Sequence, residues 1–421
     1  MSNSVSISEL AQQAKQASRK LASASTLDKN EALARLAQLL DENRERIKSA
    51  NKKDLAAGRE DGLSDALLDR LMLNNERIDS MIDGLHKIID LEDPVGELIE
   101  QVKRPNGLKI GRQRVPLGVI GIIYESRPNV TVDAAALCLK SGNCTLLRGG
   151  SEARHSNYLL VDLIQEAFGD LLPAKAVQIL RDQDHSLVDE MLRLDNFIDV
   201  IIPRGGEGLI KMVSEKSTIP VIKHYKGVCH TYVSNAADLE MARKICLNAK
   251  TQRTGVCNAM ETLLLHDQLP DKFIRELFEA LAERGVELRV DADLKNRIED
   301  DKFELNPVSK DDWDTEYLDY ILSVGLVETT DEAISHVNRH GSNHSDAIVT
   351  ENYSEAEAFL DQVDSAAVYV NASTRFTDGG EFGLGAEIGI STERLHARGP
   401  MGLRELTIPK YVIHGQGQVR S

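Results

Sequence analysis

The sequence predicts an α/β protein: a doubly wound parallel sheet, a second α/β unit after it, and a small polar arm. Three observations carry the prediction. Short, continuously apolar segments alternate with helix-patterned ones between residues 119 and 222. The first ~100 residues read as helices, and a polar hairpin over 98–115 separates them from the alternating region. Apolar strands separated by helices are the mark of a parallel sheet covered on both faces.

The helical stretch opens with Ser6-Ile-Ser-Glu9, the pattern of a capping box. Leu33, Leu36, Leu40 and Ile47 recur at helical spacing with charges opposite, which predicts a face docked on the sheet that follows. Residues 98–102 and 108–115 flank Asn106-Gly107, which supplies the positive φ angles of a hairpin turn. An arm this polar is read as an extension toward a partner subunit. Strands follow at 119–124, 144–147, 176–180, 197–202 and 219–222, with helices at 131–140, 151–168, 185–194 and 206–215 between them. The second unit offers strands at 261–266, 286–290, 320–324, 346–349 and 367–370, and the tail one more at 406–414. The domains are therefore 1–97 with 117–230, then 231–402. Residues 98–116 and 403–421 form an oligomerisation hairpin and tail.

At 421 residues the chain is too long for one ordinary core. Its formal charge of −17 argues against a nucleic-acid backbone as partner, so an anionic ligand must be held by local cations and helix N-termini. Five scattered cysteines with no CxxC pair fit reduced cytoplasmic thiols and neither a zinc knuckle nor a disulfide framework. The N-terminal segment lacks the basic and apolar regions of a signal peptide, and no apolar run approaches the ~20 residues that span a bilayer.

The fingerprint GxGxxG is absent after the first strand, and Gly118-Val-Ile-Gly121 reads as a packing feature. Two other loops suit phosphate. Arg148-Gly149-Gly150-Ser151 ends one strand and opens a helix, and Pro203-Arg204-Gly205-Gly206 repeats the design two strands later. Cys257 lies in Lys250-Thr-Gln-Arg-Thr-Gly-Val-Cys-Asn-Ala-Met260, a polar stretch before a strand. A lone cysteine is more often a small buried apolar residue. On a tight turn beside Arg253 or Lys250, it can instead be a nucleophile toward carbonyl carbon. His336, His340 and His344 stand four residues apart, but Gly341-Ser342 ends the helix before they share a face and no acidic partner completes a set, so no metal is expected.

Five separated segments, in order, carry a resemblance: Tyr124-Glu-Ser-Arg-Pro-Asn-Val-Thr131, Leu147-Arg-Gly-Gly-Ser-Glu152, Gln252-Arg-Thr-Gly-Val-Cys-Asn258, Asn371-Ala-Ser-Thr-Arg-Phe376 and Glu381-Phe-Gly-Leu-Gly385. Over nearly its whole length the chain resembles the aldehyde dehydrogenase superfamily. Within it, the chain is similar to the gamma-glutamyl phosphate reductase family of proline biosynthesis. The resemblance implies an aldehyde-dehydrogenase-like fold with a dinucleotide-binding domain and a catalytic domain. It implies that Cys257 forms a thioacyl adduct, that Asn129 and the Cys257 N–H hold the oxyanion, that Glu381 grips the nicotinamide ribose and that Phe382 packs near the nicotinamide. The implied reaction is NADPH-dependent reduction of L-glutamate 5-phosphate to L-glutamate 5-semialdehyde and phosphate.

Around that site Arg127 and Arg253 suit the acyl phosphate, as do His340 and His344, while Asn371, Ser373 and Arg375 suit the glutamyl amino and carboxylate groups. The arginines could equally pair with the many acids. A cation at the ribose 2′ position selects NADP, and Arg148 with Ser151 favours NADPH, with Lys223 or Arg204 assisting. One departure is informative. Ordinary aldehyde dehydrogenases place a water-activating Glu after the last nucleotide-domain strand. Here Lys223-His-Tyr-Lys-Gly-Val-Cys-His230 has no carboxylate, as suits an acyl group exchanged with phosphate. Coenzyme-A-acylating relatives also lack that Glu, so they form the first rival reading. A thiol acyltransferase without hydride transfer and a catalytically silent nucleotide-binding protein are the others. The resemblance further implies a homodimer or homotetramer, and the lability of an acyl phosphate implies transient contact with glutamate 5-kinase.

Overall fold

The computed structural model describes residues 6–184, 186–223, 226–298 and 302–420. The chain divides into two compact units. One comprises Met1–Lys223, Gly383–Gly389 and Met401–Ser421, the other His224–Phe382 and Ile390–Pro400.

In the first unit five helices, Ile7–Leu21, Thr26–Glu42, Arg44–Glu60, Asp65–Leu71 and Asn75–Asp90, precede the sheets. The capping box forms: Ser6 N–H donates to Glu9 Oε2 at 3.0 Å while Ser6 Oγ accepts from Glu9 N–H at 3.2 Å. Leu33, Leu36 and Leu40 lie on the second helix and Ile47 on the third, because the chain breaks at Asn43; all four are buried.

The parallel sheet runs Val177–Ile179, Cys144–Gly149, Val119–Tyr124, Val200–Arg204. Its two central strands are buried at every position, Val119–Tyr124 as its apolar character predicts and Cys144–Gly149 with Thr145 and Arg148 buried as well. The strand expected at 219–222 is reduced to one bridge, Val221 with Ile201. Ile201 N–H reaches Pro220 O at 2.9 Å, but Pro220 has no N–H to extend the ladder. The helix expected from His185 is Ser186–Met191, and His185 itself lies outside the described residues. Gly121 is a packing residue: an added Cβ would lie 2.7 Å from Met191 Cε.

The hairpin strands Leu98–Lys103 and Lys109–Pro116 pair antiparallel, and Thr407–His414 adds to the latter as a third strand. The turn differs from expectation. Only Gly107 has positive φ, and Gly107 N–H closes a four-residue turn on Arg104 O at 2.9 Å. Asn106 instead accepts from Leu108 N–H through its side chain.

In the second unit a seven-stranded parallel sheet runs Leu305–Pro307, Glu287–Val290, Ile321–Val327, Met260–His266, Cys229–Val233, Ser345–Val349, Ala367–Val370. Helices Leu239–Thr251, Asp271–Ala282, Thr330–His340 and Tyr353–Gln362 are among its connections. The strands at 229–233 and 305–307 had no clear signature in the sequence, and the former lies well inside this sheet.

Candidate active site

Helix Leu239–Thr251 ends and strand Met260–His266 begins on either side of the segment that carries Cys257. Between them Ala259 N–H closes a turn on Val256 O at 3.1 Å, with Cys257 and Asn258 as its central residues. The turn is fastened by neighbours. Thr374 Oγ1 donates to Asn258 O at 2.8 Å, and Asn258 Nδ2 donates to Thr377 O at 2.8 Å. Gly227 packs against it so closely that an added Cβ would overlap the Cys257 carbonyl oxygen and lie 2.6 Å from its Cα. Cys257 is half-buried with a free thiol, whereas Cys138, Cys144, Cys229 and Cys246 are fully buried. Burial pushes the thiols of Cys138, Cys144 and Cys246 up to about 12 and also raises that of Cys229 well above its ordinary value. Cys257 is thus the one thiol of the five with a surface open to a ligand.

Lys250 is not a neighbour the thiol can use. Its ammonium is held by Glu261 in a fully buried pair. Burial lowers the Lys250 pKa, and burial raises Glu261 to about 7 against the pull of the ammonium. Cation near the sulfur comes from elsewhere. Arg375, half-buried, has its pKa lowered by burial first and then by the like charge of Arg253, while Cys257 acts on it in the opposite sense. Arg375 Nε donates to Gln252 Oε1 at 2.9 Å, so it is anchored to the segment leading into the cysteine turn. Arg253 is exposed.

The remaining predicted residues of this unit divide. Ser373 is buried and caps the short helix Thr374–Phe376, accepting from Arg375 N–H at 3.3 Å. Asn371 gives both amide groups to Thr350, accepting from its N–H and donating to its C=O at 2.9 Å each, and its φ of +57° is one that Asn tolerates. That geometry makes Asn371 a clip on the Thr350 backbone. His344 has no exposed surface, and its Nδ1 lies 2.9 Å from Ser345 Oγ and 3.8 Å from Cys229 Sγ. His340 ends its helix, with Nδ1 at 2.9 Å from Asp314 Oδ1 and its ring against His336. Burial, followed by the charges of His230 and His340, lowers His336 to about 3. Among the described residues no group of three His, Cys, Asp or Glu could hold a metal ion. Glu381 and Phe382 are exposed; both turn over Asp378, whose carbonyl accepts from Phe382 N–H at 2.9 Å. His224 and Tyr225, part of the segment noted for lacking a carboxylate, lie outside the described residues.

In the first unit Asn129 opens helix Asn129–Lys140 and its Nδ2 donates to Asp133 Oδ2 at 2.9 Å. Burial raises the Asp133 carboxyl to about 6, against the opposing effects of Asn129 and Arg204. Arg127 is exposed two residues earlier. A cleft of about 520 Å³ lies at the carboxyl ends of strands Val119–Tyr124 and Cys144–Gly149, with Glu125, Ser126, Ser151, Glu152, Arg154 and His155 among its lining. This is where doubly wound sheets take nucleotides; Arg154 and His155 are basic residues of its lining, and Asp54, Asp61, Glu125 and Glu152 are acids of it. Gly149 and Gly150 have no room for a Cβ, which would meet Asn157 and the Glu152 carboxylate. Gly205 is similarly confined by Glu125, whose Oε2 accepts from Gly206 N–H at 3.0 Å.

Arg148 departs from expectation. It is 5% exposed, donates to Gly149 O and Gln183 O, and so serves its own loop and not the cleft. Pro203 is buried within its strand beside Ile123, and Arg204 approaches Gly389. Sequence reasoning missed Arg154 and His155 at the cleft, and Gly227 and Cys229 against the cysteine turn. The signal for the last pair is the parallel register that sets Cys229 opposite Met260.

Comparison with known proteins agrees with this fold. The profile of the aldehyde dehydrogenase family matches residues 1–299 and 309–405. A gamma-glutamyl phosphate reductase of Carboxydothermus hydrogenoformans is 55% identical over 412 residues, 98% of each chain. One from Halothermothrix orenii is 54% identical over 97% of each. The crystal structure of a gamma-glutamyl phosphate reductase from Thermotoga maritima superposes with a TM-score of 0.96 at 49% identity, covering 98% of this chain and 99% of that one. An acetylating aldehyde dehydrogenase from Geobacillus thermoglucosidasius shares the fold, with a TM-score of 0.68 at 17% identity over 98% of this chain and 97% of that one. With near-complete coverage by the profile and by relatives sharing half their residues, the chain belongs to the aldehyde dehydrogenase family.

Proposed function

We propose that this chain reduces L-glutamate 5-phosphate to L-glutamate 5-semialdehyde and inorganic phosphate, a step of proline biosynthesis, with NADPH as cofactor. The observation that carries the reading is the 55% identity over 98% of the chain to a relative named for this reaction. The local geometry supports it: a half-buried thiol on a fastened turn, with Arg375 and Arg253 close enough to feel one another's charge.

The Cys257 sulfur attacks the γ-carbonyl carbon. A C–S bond forms, the C–O bond to phosphate breaks, and the two arginines suit the departing phosphoryl group. Asn129 and the Cys257 N–H are assigned to the oxyanion, each donor typically worth about 3 kcal/mol of barrier. A nicotinamide held beside Cys257 would supply the hydride that the thioester carbon accepts. The thiohemiacetal then collapses, the C–S bond breaks, and the thiol is restored as the aldehyde leaves. Lys226 to His230 offers no carboxylate to activate water, which protects the thioester from hydrolysis.

NADPH is preferred because Arg154 and His155 line the strand-end cleft beside Ser151 and suit a 2′-phosphate, while the nearby acids Glu152 and Glu125 already accept from Ser126 and from Gly206 N–H. A second copy of the chain is the partner that suits the arm. Val102, Tyr411 and Ile413 are all at least 51% exposed on its two outer strands, Val102 and Ile413 flank Ile110 on one face, and such an apolar face calls for cover. Dimer or tetramer, a cytoplasmic setting and a passing contact with glutamate 5-kinase belong to the same reading. The free thiols and the labile substrate support the last two.

The test is the reverse reaction. Semialdehyde, NADP and phosphate together should generate reduced nicotinamide, each should be required, and coenzyme A should have no effect. Turnover that needs coenzyme A and ignores phosphate would overturn the proposal.

A further inference from the structure

We infer that Cys229 is a positioning residue for Cys257: its thiol holds the peptide carbonyl of the nucleophile and so sets the direction of the reactive side chain. The inference rests on reading Cys257 as the nucleophile.

Four observations support it. Cys229 Sγ lies 3.2 Å from Cys257 O and has no exposed surface. Burial, followed by the nearby charges of Asp346, Cys257 and Glu261, opposes its ionisation, so the group remains S–H and donates. Gly227, two residues earlier on the same segment, closes on the Cα of Cys257 with no space for a side chain. Beyond Cys229 the support continues: His344 Nδ1 meets Ser345 Oγ at 2.9 Å, Ser345 Oγ meets Thr377 Oγ1 at 2.7 Å, and Thr377 Oγ1 meets Tyr369 OH at 2.7 Å. Thr377 O in turn receives Asn258 Nδ2.

The carbonyls of residues 257 and 258 are thus each held by a neighbouring donor, Cys229 S–H and Thr374 O–H. With the carbonyl held and the Cα blocked by Gly227, the Cα–Cβ bond of Cys257 keeps one orientation. Small displacements of an attacking atom are costly to rate, so a weak donor placed here has leverage beyond its own strength. Cys229 touches neither substrate nor cofactor in this account; it acts through Cys257.

The test compares Cys229→Ala, Cys229→Ser and Cys229→Val in the full-length enzyme. The readouts are steady-state kinetics and the pH profile of Cys257 alkylation by iodoacetamide, followed by mass spectrometry. Ala and Val remove the donor and should lower kcat about tenfold, leave KM for the cofactor unchanged and alter the alkylation profile. Ser restores a donor and should recover most of both. Val fills the space without a donor, being somewhat larger than Cys, so a misfolded Ala variant does not leave the matter open. Wild-type alkylation and kcat in a folded Val variant would overturn the inference, as would a folded Ser variant as impaired as Val. Cys257→Ala run in parallel separates the two readings: turnover surviving that change removes the nucleophile itself, whatever Cys229 does.

Discussion

The Nζ of Lys250 stands 2.6 Å from Glu261 Oε2, and neither side chain has any surface in contact with solvent. Lys250 precedes the reactive cysteine by seven residues, yet its charge is spent on tying the end of helix Leu239–Thr251 to the start of strand Met260–His266. Glu261 is held further by Leu318 N–H at 3.1 Å. Removing one partner strands a buried charge. Lys250→Met or Glu261→Leu alone should cost about 3–5 kcal/mol of stability, and the double substitution should recover most of it. Denaturation midpoints of the three variants check this; additive losses would contradict it.

Gly227→Ala places a methyl group where the Cys257 carbonyl now lies. The cysteine turn must move, at a cost of about 1–3 kcal/mol in stability for overpacking. Turnover should fall far more than stability, because the displaced group is the nucleophile. Enzyme assays beside thermal melts separate the two effects.

Asp133 gives stability an unusual slope with pH. Burial raises its carboxyl from 3.8 to about 6, so the folded chain holds this proton to higher pH than the unfolded chain does. Its contribution therefore weakens as pH climbs from about 4 to about 6, and above that the full penalty is present. Asp133→Asn removes the titration and keeps an acceptor for Asn129. The variant should gain thermal stability relative to wild type as pH rises through that window, and a constant difference would refute the assignment.

Asp312 gives the opposite slope. Burial opposes its ionisation, but Ser309 N–H, Arg289 and the Tyr317 hydroxyl together hold it down at about 2. The folded chain binds this proton less tightly, so the contribution is complete above about 4 and is lost as pH falls toward 2. Asp312→Asn should lower the melting temperature at neutral pH and flatten its acid dependence.

Ser151→Glu adds a further acid to the strand-end cleft beside Glu152, where it would repel a 2′-phosphate and accept from a 2′-hydroxyl. Affinity for NADPH should drop by about tenfold or more, with NADH gaining. Fluorescence titration with each dinucleotide reads this without turnover. Unchanged preference would show that Ser151 does not face the ribose.

Much of the fold was legible because burial on both faces writes itself into composition. Val119–Tyr124 has one polar side-chain atom, the Tyr124 hydroxyl, and Cys257 stands in a polar stretch ahead of a strand that reads clearly. Cys229–Val233 escaped notice because two of its five residues, His230 and Thr231, are polar though fully buried; Asp346 satisfies His230 across the sheet at 3.0 Å. The polar residues near the two sites were harder still. Arg148 and Asn371 have the chemistry of ligand contacts, but both answer local backbone groups. Which polar group is left over for a ligand depends on pairings that span the fold, and no spacing in the chain records them.

The first unit is discontinuous, begun by the earliest residues and completed by 383–389 and 401–421. Strand Lys109–Pro116 has its second neighbour, Thr407–His414, nearly three hundred positions downstream. During synthesis that strand must wait, one edge open, while the entire second unit is made. A growing polypeptide in this condition is vulnerable to edge-to-edge association with its neighbours on the same message. Slow translation of the last segment would lengthen that exposure, and chaperone demand should therefore track how promptly residues 407–414 emerge.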